Sequence, residues 1–216
     1  MLPGLLLLIA YLAGSIPFSF LIVKLVSGKD VREHGSRNVG ATNVARTAGK
    51  LPGIIALALD IAKGYGVVAL ARFMTAQPGW PFGAGTRPWE SREMWIALAG
   101  LVAVLAHMFP AWLRFHGGKG VATAAGVFFA LDPLVMAAAI IVFAIVLLLF
   151  RFVSLASIVS AASIPLFLRY LVPDAPYWRI VISIAIALAV IAKHHSNIAR
   201  LAQGTERRLG QKKESE

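Results

Sequence analysis

The chain of 216 residues contains no cysteine. It therefore forms no disulfide, offers no thiolate to a metal ion, and has no thiol on which an acyl group could rest as a thioester. Charge is scarce as well: Asp, Glu, Lys and Arg make up 14% of the residues, against about 25% in a soluble domain. With 58% hydrophobic residues and a mean hydropathy of +0.75, too little polar surface remains to face water, and the chain belongs in a bilayer. Acidic residues are the scarcer charge, 10 against 21 Lys plus Arg, which leaves a formal net charge of +11. On a membrane protein such a surplus meets anionic headgroups or handles an anionic substrate. No nucleic-acid partner is expected. Five His and ten carboxylates supply few ligands for zinc or a two-metal centre, and neither a metal nor a cofactor is expected.

Long apolar runs dominate what is present. Residues 2–26 are apolar apart from Ser15, Ser19 and Lys24, long enough to cross a hydrocarbon core of about 30 Å at 1.5 Å per residue. With no basic stretch before it and no small-residue cleavage site after it, the run reads as a retained span and not as a signal peptide. Further runs occupy 51–74, 94–113, 121–131, 134–150, 152–172 and 177–192. The 121–131 run would extend only about 16 Å as a helix, and Asp132-Pro133 could kink one helix as readily as separate two.

Basic residues assign the sides. Lys29, Arg32, Arg37, Arg46 and Lys50 crowd 27–50, and Lys193, Arg200, Arg207, Arg208, Lys212 and Lys213 crowd the tail, so both segments are expected in the cytoplasm. The 75–93 segment, where Glu90 and Glu93 offset Arg87 and Arg92, suits the outer side. Two crossings from the first basic loop return the chain to the cytoplasm at 114–120. The tail reaches the same side only after an even number of further crossings, so 121–131 counts as a short or broken span. The expectation is an all-α, polytopic integral membrane protein of one domain, 1–216, with about seven transmembrane helices, its N-terminus outside and C-terminus cytoplasmic. Residues 211–216 are expected to fray. No repeat of 20–50 residues is evident.

This topology gathers three polar segments on one face. The first, Gly35-Ser36-Arg37-Asn38-Val39-Gly40-Ala41-Thr42-Asn43-Val44-Ala45-Arg46, combines turn-forming glycines with amide, hydroxyl and guanidinium donors and suits a phosphate or acyl-phosphate oxyanion. The same residue types also serve a plain connector made of turns and caps. The second runs from His107-Met108-Phe109-Pro110 to Gly117-Gly118-Lys119-Gly120-Val121-Ala122-Thr123, with three glycines around a lysine before a helix start. That pattern fits an anion-binding nest, or equally a helix break at the membrane surface. It is not a Walker A loop, because Gly120, and neither Ser nor Thr, follows the lysine. The third, Lys193-His194-His195-Ser196-Asn197 to Glu206, places His194 and Asn197 on one face of a helical continuation of the last span. Asp60 and Lys63, three apart inside an apolar run, could pair with each other. At that depth they read either as a functional pair or as a structural clamp, and His107 as a buried donor, a base or a structural histidine.

Taken together and in order, these segments resemble the bacterial glycerol-3-phosphate acyltransferases that use acyl phosphate as donor, the PlsY family, over nearly the whole chain. The resemblance implies transfer of a fatty acyl group from acyl phosphate to the 1-hydroxyl of glycerol 3-phosphate, giving lysophosphatidic acid and phosphate, the first step of phospholipid synthesis. It implies a multi-pass protein of the bacterial cytoplasmic (inner) membrane, with its active site toward the cytoplasm. Membrane lipids and the enzyme that supplies acyl phosphate are the partners implied. By position it assigns catalytic roles to Ser36, Arg46, His194 and Asn197. Substrate binding falls to Arg37, Asn38, Gly40, Thr42, Asn43, Lys63, His107, Gly117, Gly118, Lys119 and Gly120, and structural roles to Asp60 and Glu206. The 77–92 insertion is longer than the family leads one to expect.

Physical chemistry agrees with that implication. Acyl phosphate is already activated, so a protein need only hold two anions, orient a hydroxyl on the carbonyl and stabilise the developing oxyanion. Either His194 or an oxygen of the donor phosphate could take the hydroxyl proton. Ser36 suits a hydrogen-bond donor better than a nucleophile, since no His-Asp partner stands beside it. An acyl-CoA enzyme would be expected to carry Asp five residues after His, but Val39, Trp112, Val121, Ala199 and Arg200 occupy those places. A phosphatidyl transferase would need clustered Asp for Mg²⁺, and Asp30, Asp60, Asp132 and Asp174 are scattered. An anion or lipid transporter is the rival from another class, although transporters place their sites near the midplane between repeats.

Overall fold

Pro17 interrupts the first apolar run. In the computed structural model, which describes residues 1–83 and 87–211, that run is two helices, α1 (Leu2–Gly14) and α2 (Phe18–Ser27). Proline has no N–H to donate into a helical ladder, so the chain turns through Ser15-Ile16-Pro17. Continuous helix over 2–26 was the expectation, and the break is its correction. A short helix, α3 (Ala41–Ala48), follows inside the first polar segment, and then α4 (Lys50–Ala76), α5 (Arg92–Met108), α6 (Val121–Leu131), α7 (Pro133–Phe150), α8 (Val153–Leu171), α9 (Tyr177–Lys193) and α10 (His195–Ala202). No β-strand occurs among the described residues. Lys212, Lys213 and the rest of the segment expected to fray, except Gln211, lie outside the described residues.

Among the described residues, five stretches are long and apolar enough to cross a membrane: Leu2–Ser27, Lys50–Ala76, Arg92–Leu113, Pro133–Phe150 and Val153–Leu171. α9 with α10 makes a sixth if the pair, bent by 58°, counts as one span. The 121–131 run is α6, with 11 residues too short to cross by itself. Asp132 separates it from α7, and Pro133 opens α7 where its missing N–H costs no hydrogen bond.

Small residues set the helix spacing. A Cβ on Gly64 of α4 would strike the Thr123 carbonyl of α6, and one on Gly126 of α6 would strike the Ile61 carbonyl of α4. In a bilayer, where apolar surface gains little by leaving lipid, such backbone-to-backbone approach is a main source of helix association. The main core joins α1, α4, α5, α6 and α9 around Val68, Ala103, Val104, Val127 and Ile186. A smaller one, Val23, Val31, Val39, Val44, Ala56 and Leu113, underlies the first polar segment. α7 turns Leu134, Ile141, Ile145, Leu148 and Leu149 outward, as a lipid-facing helix should.

Candidate active site

The first polar segment winds around one amide. Asn43, 1% exposed, accepts the Ser36 N–H on Oδ1 at 2.8 Å, while its Nδ2 contacts the carbonyls of Val31, His34 and Asn38 at 2.9, 3.0 and 3.0 Å. Both ends of the amide are engaged by the backbone, so Asn43, expected to bind substrate, also shapes the loop. Its ties leave Ser36, Arg37 and Thr42 on the surface, with Asn38 and Gly40 half-buried and Arg37 at φ +57°. The stretch expected to be all turns becomes α3 from Ala41, whose last turn presents Arg46.

The second segment folds back on the helix it leaves. The N–H of Gly117 donates to Met108 O at 3.2 Å and that of Gly118 to His107 O at 3.1 Å, so two of the amides expected to cradle an anion instead cap α5. A Cβ on Gly118 would collide with His107 Nε2 and the Val39 carbonyl, which brings the first and second segments together at this point. Gly120, at φ +81°, turns the chain into α6. The anion-binding capacity of the turn thus rests on Lys119 and the open first-turn amides of α6.

The third segment bends where the sequence suggested straight continuation. His194 ends α9 and begins α10, its carbonyl accepting from Asn197 N at 2.8 Å and Ile198 N at 2.9 Å. Its Nδ1 lies 2.8 Å from Val190 O, so Nδ1 carries the ring proton and donates it, leaving Nε2 as an acceptor. Despite the bend, Asn197 stays buried beside it.

Glu206 ties these parts together. Its Oε1 accepts from Asn197 Nδ2 at 2.6 Å and Ser154 Oγ at 2.7 Å, and its Oε2 from Arg200 Nε at 2.7 Å. Lys119 Nζ donates to Asn197 Oδ1, which completes a chain from α6 to α8. Burial alone would raise the Glu206 carboxyl, but the bonds from Ser154, Asn197 and Arg200 outweigh it and hold the group below the usual range. Lys119 is lowered to about 8, first by burial and then by the cations Arg200, Arg46 and Lys193, with Glu206 opposing. Arg46 in turn faces Arg207, Glu206 and Arg200. Arg46, Lys119 and Arg200 therefore act on one carboxylate, Glu206, with Arg207 near Arg46 and Lys193 near Lys119. Beside them a cleft of about 480 Å³ opens between Arg37, Val39, His116, Gly117 and Lys193.

Lys63 and His107 are not part of this surface. Both are buried with Asp60, and the gap that Asp60 and His107 border beside the α1–α2 break leaves no room for a water molecule. Lys63 and His107, expected to bind substrate, lie together in this buried cluster, and the Asp60–Lys63 pair itself is present at 2.8 Å. Sequence reasoning missed Ser154, which stands 52 positions from Glu206 at the start of an apolar helix with no local signal. Among the described residues, no group of three or more His, Asp or Glu is placed to hold a metal ion.

The chain matches the family described as "Glycerol-3-phosphate acyltransferase" over residues 4–204. It is 44% identical over 214 residues to a glycerol-3-phosphate acyltransferase of Acaryochloris marina, covering 97% of this chain and 93% of that protein. To one of Geotalea daltonii it is 45% identical, covering 91% and 92%. The fold is similar to the crystal structure of PlsY (YgiH), an integral membrane glycerol 3-phosphate acyltransferase, in its glycerol 3-phosphate form, with a TM-score of 0.83, 39% identity and 96% of each chain covered. A second form of that protein, with lysophosphatidic acid, gives a TM-score of 0.80 at 38% identity, covering 96% of this chain and 95% of that one. The family match spans the first two polar segments and the third as far as residue 204, and the chain belongs to the glycerol-3-phosphate acyltransferase family.

Proposed function

We propose that this protein transfers a fatty acyl group from acyl phosphate to the 1-hydroxyl of glycerol 3-phosphate. The observation that carries this reading is the cluster of Arg46, Lys119 and Arg200 on Glu206, with Arg207 and Lys193 near two of them, in a family of acyltransferases and on a chain without a thiol. Two phosphate-bearing substrates need such a surplus to be held close together. The family match favours an enzyme over the anion or lipid transporter weighed from the sequence.

In this reading Lys119 and Arg46 hold phosphate oxygens, and the open amides at the start of α6 face the same anion. Arg37, Asn38, Gly40 and Thr42 edge the substrate, and the exposed Ser36 hydroxyl donates to a phosphate or to the reacting carbonyl. Asn197, fixed between Lys119 and Glu206, keeps the ammonium aimed. The glycerol hydroxyl oxygen forms the new ester bond while the bond from the carbonyl carbon to the phosphate oxygen breaks, and phosphate leaves with that electron pair. The hydroxyl proton has two acceptors available: His194 Nε2, left open by the bond of Nδ1 to Val190, and an oxygen of the departing phosphate. The excess of basic residues on the segments carrying the site supports a cytoplasmic orientation in a bacterial inner membrane, with the N-terminus outside and residues 1–216 as one domain. A membrane partner that makes acyl phosphate fits the same reading, because the donor is amphiphilic and labile.

The test is reconstitution of the purified protein with glycerol 3-phosphate and either palmitoyl phosphate or palmitoyl-CoA. Lysophosphatidic acid is expected with the phosphate donor. Product from the CoA donor alone, or from neither, overturns the proposal.

A further inference from the structure

Lys63 sits at the centre of a buried polar cluster between membrane-spanning helices, away from the cationic surface. Its Nζ lies 2.8 Å from Asp60 Oδ1, 3.0 Å from the Ile16 carbonyl and 2.8 Å from His107 Nδ1. An ammonium has hydrogens and no lone pair, so it donates to the Ile16 carbonyl and to His107 Nδ1 and pairs in charge with Asp60, whose Oδ1 lies 3.6 Å from the same ring nitrogen. His107 Nδ1 then accepts, and the single proton of the neutral imidazole sits on Nε2. That nitrogen emerges at Gly118, where a Cβ would strike both it and the Val39 carbonyl. The Gly118 N–H donates to the carbonyl of His107 itself, and the next residue is Lys119.

The far side of the cluster is the break in the first span. Ile16 supplies there a carbonyl that accepts from both the Phe18 N–H, at 3.1 Å, and Lys63, and Ser19 reaches Asp60 Oδ2 at 3.4 Å. The loop after α5 is tied to the same place: Trp112 Nε1 donates to Ser15 Oγ at 2.8 Å and the Tyr11 hydroxyl to Phe109 O at 2.9 Å. Ionisable groups are an expensive way to hold helices in a membrane, and apolar packing would do that alone. What apolar packing cannot do is choose which imidazole nitrogen carries the proton.

We infer that Asp60, Lys63 and His107 are positioning residues for the turn that carries Lys119: the ammonium locks the imidazole as its Nε2–H tautomer, and the ring, braced on the Ser15–Pro17 break, sets the register of Gly118 and so the aim of Lys119. The kinetic consequence rests on the proposed role of Lys119 in holding phosphate; the tautomer does not.

Two measurements test this. In protein labelled with nitrogen-15 at histidine and held in micelles, His107, identified by the loss of its signals in His107→Gln, is expected to show a protonated Nε2 and a hydrogen-bonded, unprotonated Nδ1. A proton found on Nδ1, or on both nitrogens, overturns the inference, whether or not any variant folds. The paired substitution Asp60→Leu with Lys63→Met removes both charges together, so a purely structural clamp would be replaced without loss. Here the expected outcome is thermal stability close to that of the unmodified protein, a mixed His107 tautomer, and kcat/KM for glycerol 3-phosphate lowered at least tenfold, mostly through KM. Normal kinetics in that variant overturn the inference. If Lys119→Ala leaves kinetics unchanged while the Nε2–H tautomer is observed, the reading of Lys119 fails and the tautomer lock stands.

Discussion

The two ends of α6 face opposite problems with similar means. At its C-terminal end Asp132 meets Arg179 at 2.8 Å, and Arg179 also donates to the Leu131 carbonyl at 3.1 Å, so one cation cancels one anion and closes a helix end. At its N-terminal end Lys119, Arg46 and Arg200 meet the single carboxylate of Glu206, with Lys193 near Lys119 and Arg207 near Arg46, and the charges do not cancel. The balanced end holds two helices together. The unbalanced end costs stability through mutual repulsion, and its excess charge has a use only when an anion arrives.

Lys119→Ala should break the comparison most sharply. It is expected to lower kcat/KM for glycerol 3-phosphate about 100-fold, mostly through KM, because a phosphate left beside an unfilled ammonium site forfeits a charge-assisted bond. Steady-state kinetics in reconstituted vesicles measure this, and an unchanged KM would contradict the role. The pH profile sharpens the same point. With the ammonium at about 8, Lys119 is charged below that pH and neutral above it, so KM should be flat up to pH 8 and rise about tenfold per unit beyond. In Lys119→Arg, which stays charged, the rise should disappear.

Glu206→Gln tests the one carboxylate at this end. Losing its charge while keeping an acceptor should lower kcat/KM about tenfold, as Arg200 and Lys119 repel each other unscreened and Asn197 loses its fixed orientation. The smallest effect on catalysis belongs to the balanced end. Asp132→Asn should lower the melting temperature by about 5 °C, as Arg179 loses its partner. Its kcat/KM should stay within about twofold of the parent. A catalytic loss there comparable to that of Glu206→Gln would erase the distinction between the two ends.

Each apolar run found in the sequence is helical in the structure, because membrane helices follow from hydropathy and length alone. What hydropathy could not show was geometry inside a run. The break at Ser15–Pro17 keeps the same composition as unbroken helix, and only Gly14 and Pro17 hint at it. The bend at His194 has no proline or glycine to announce it. The residue types of the three polar segments pointed to anion chemistry, and the structure does bring them to one face. Their division of labour was hidden, because Asn43, Gly117 and Gly118 spend their hydrogen bonds on the backbone and a sequence does not show where a bond is spent. His107 lies 44 residues from Lys63 and Ser154 lies 52 from Glu206, beyond the reach of any local pattern.

The 58° bend between α9 and α10 has a kinetic consequence. It turns the third polar segment, with Asn197, away from the direction of the span. A water-soluble acceptor then arrives from the bulk, whereas an acyl donor dissolved in lipid arrives by diffusion in two dimensions. For the donor, saturation should follow its mole fraction in the bilayer, and diluting the vesicles with inert phospholipid should slow the reaction even at constant bulk concentration of every reactant.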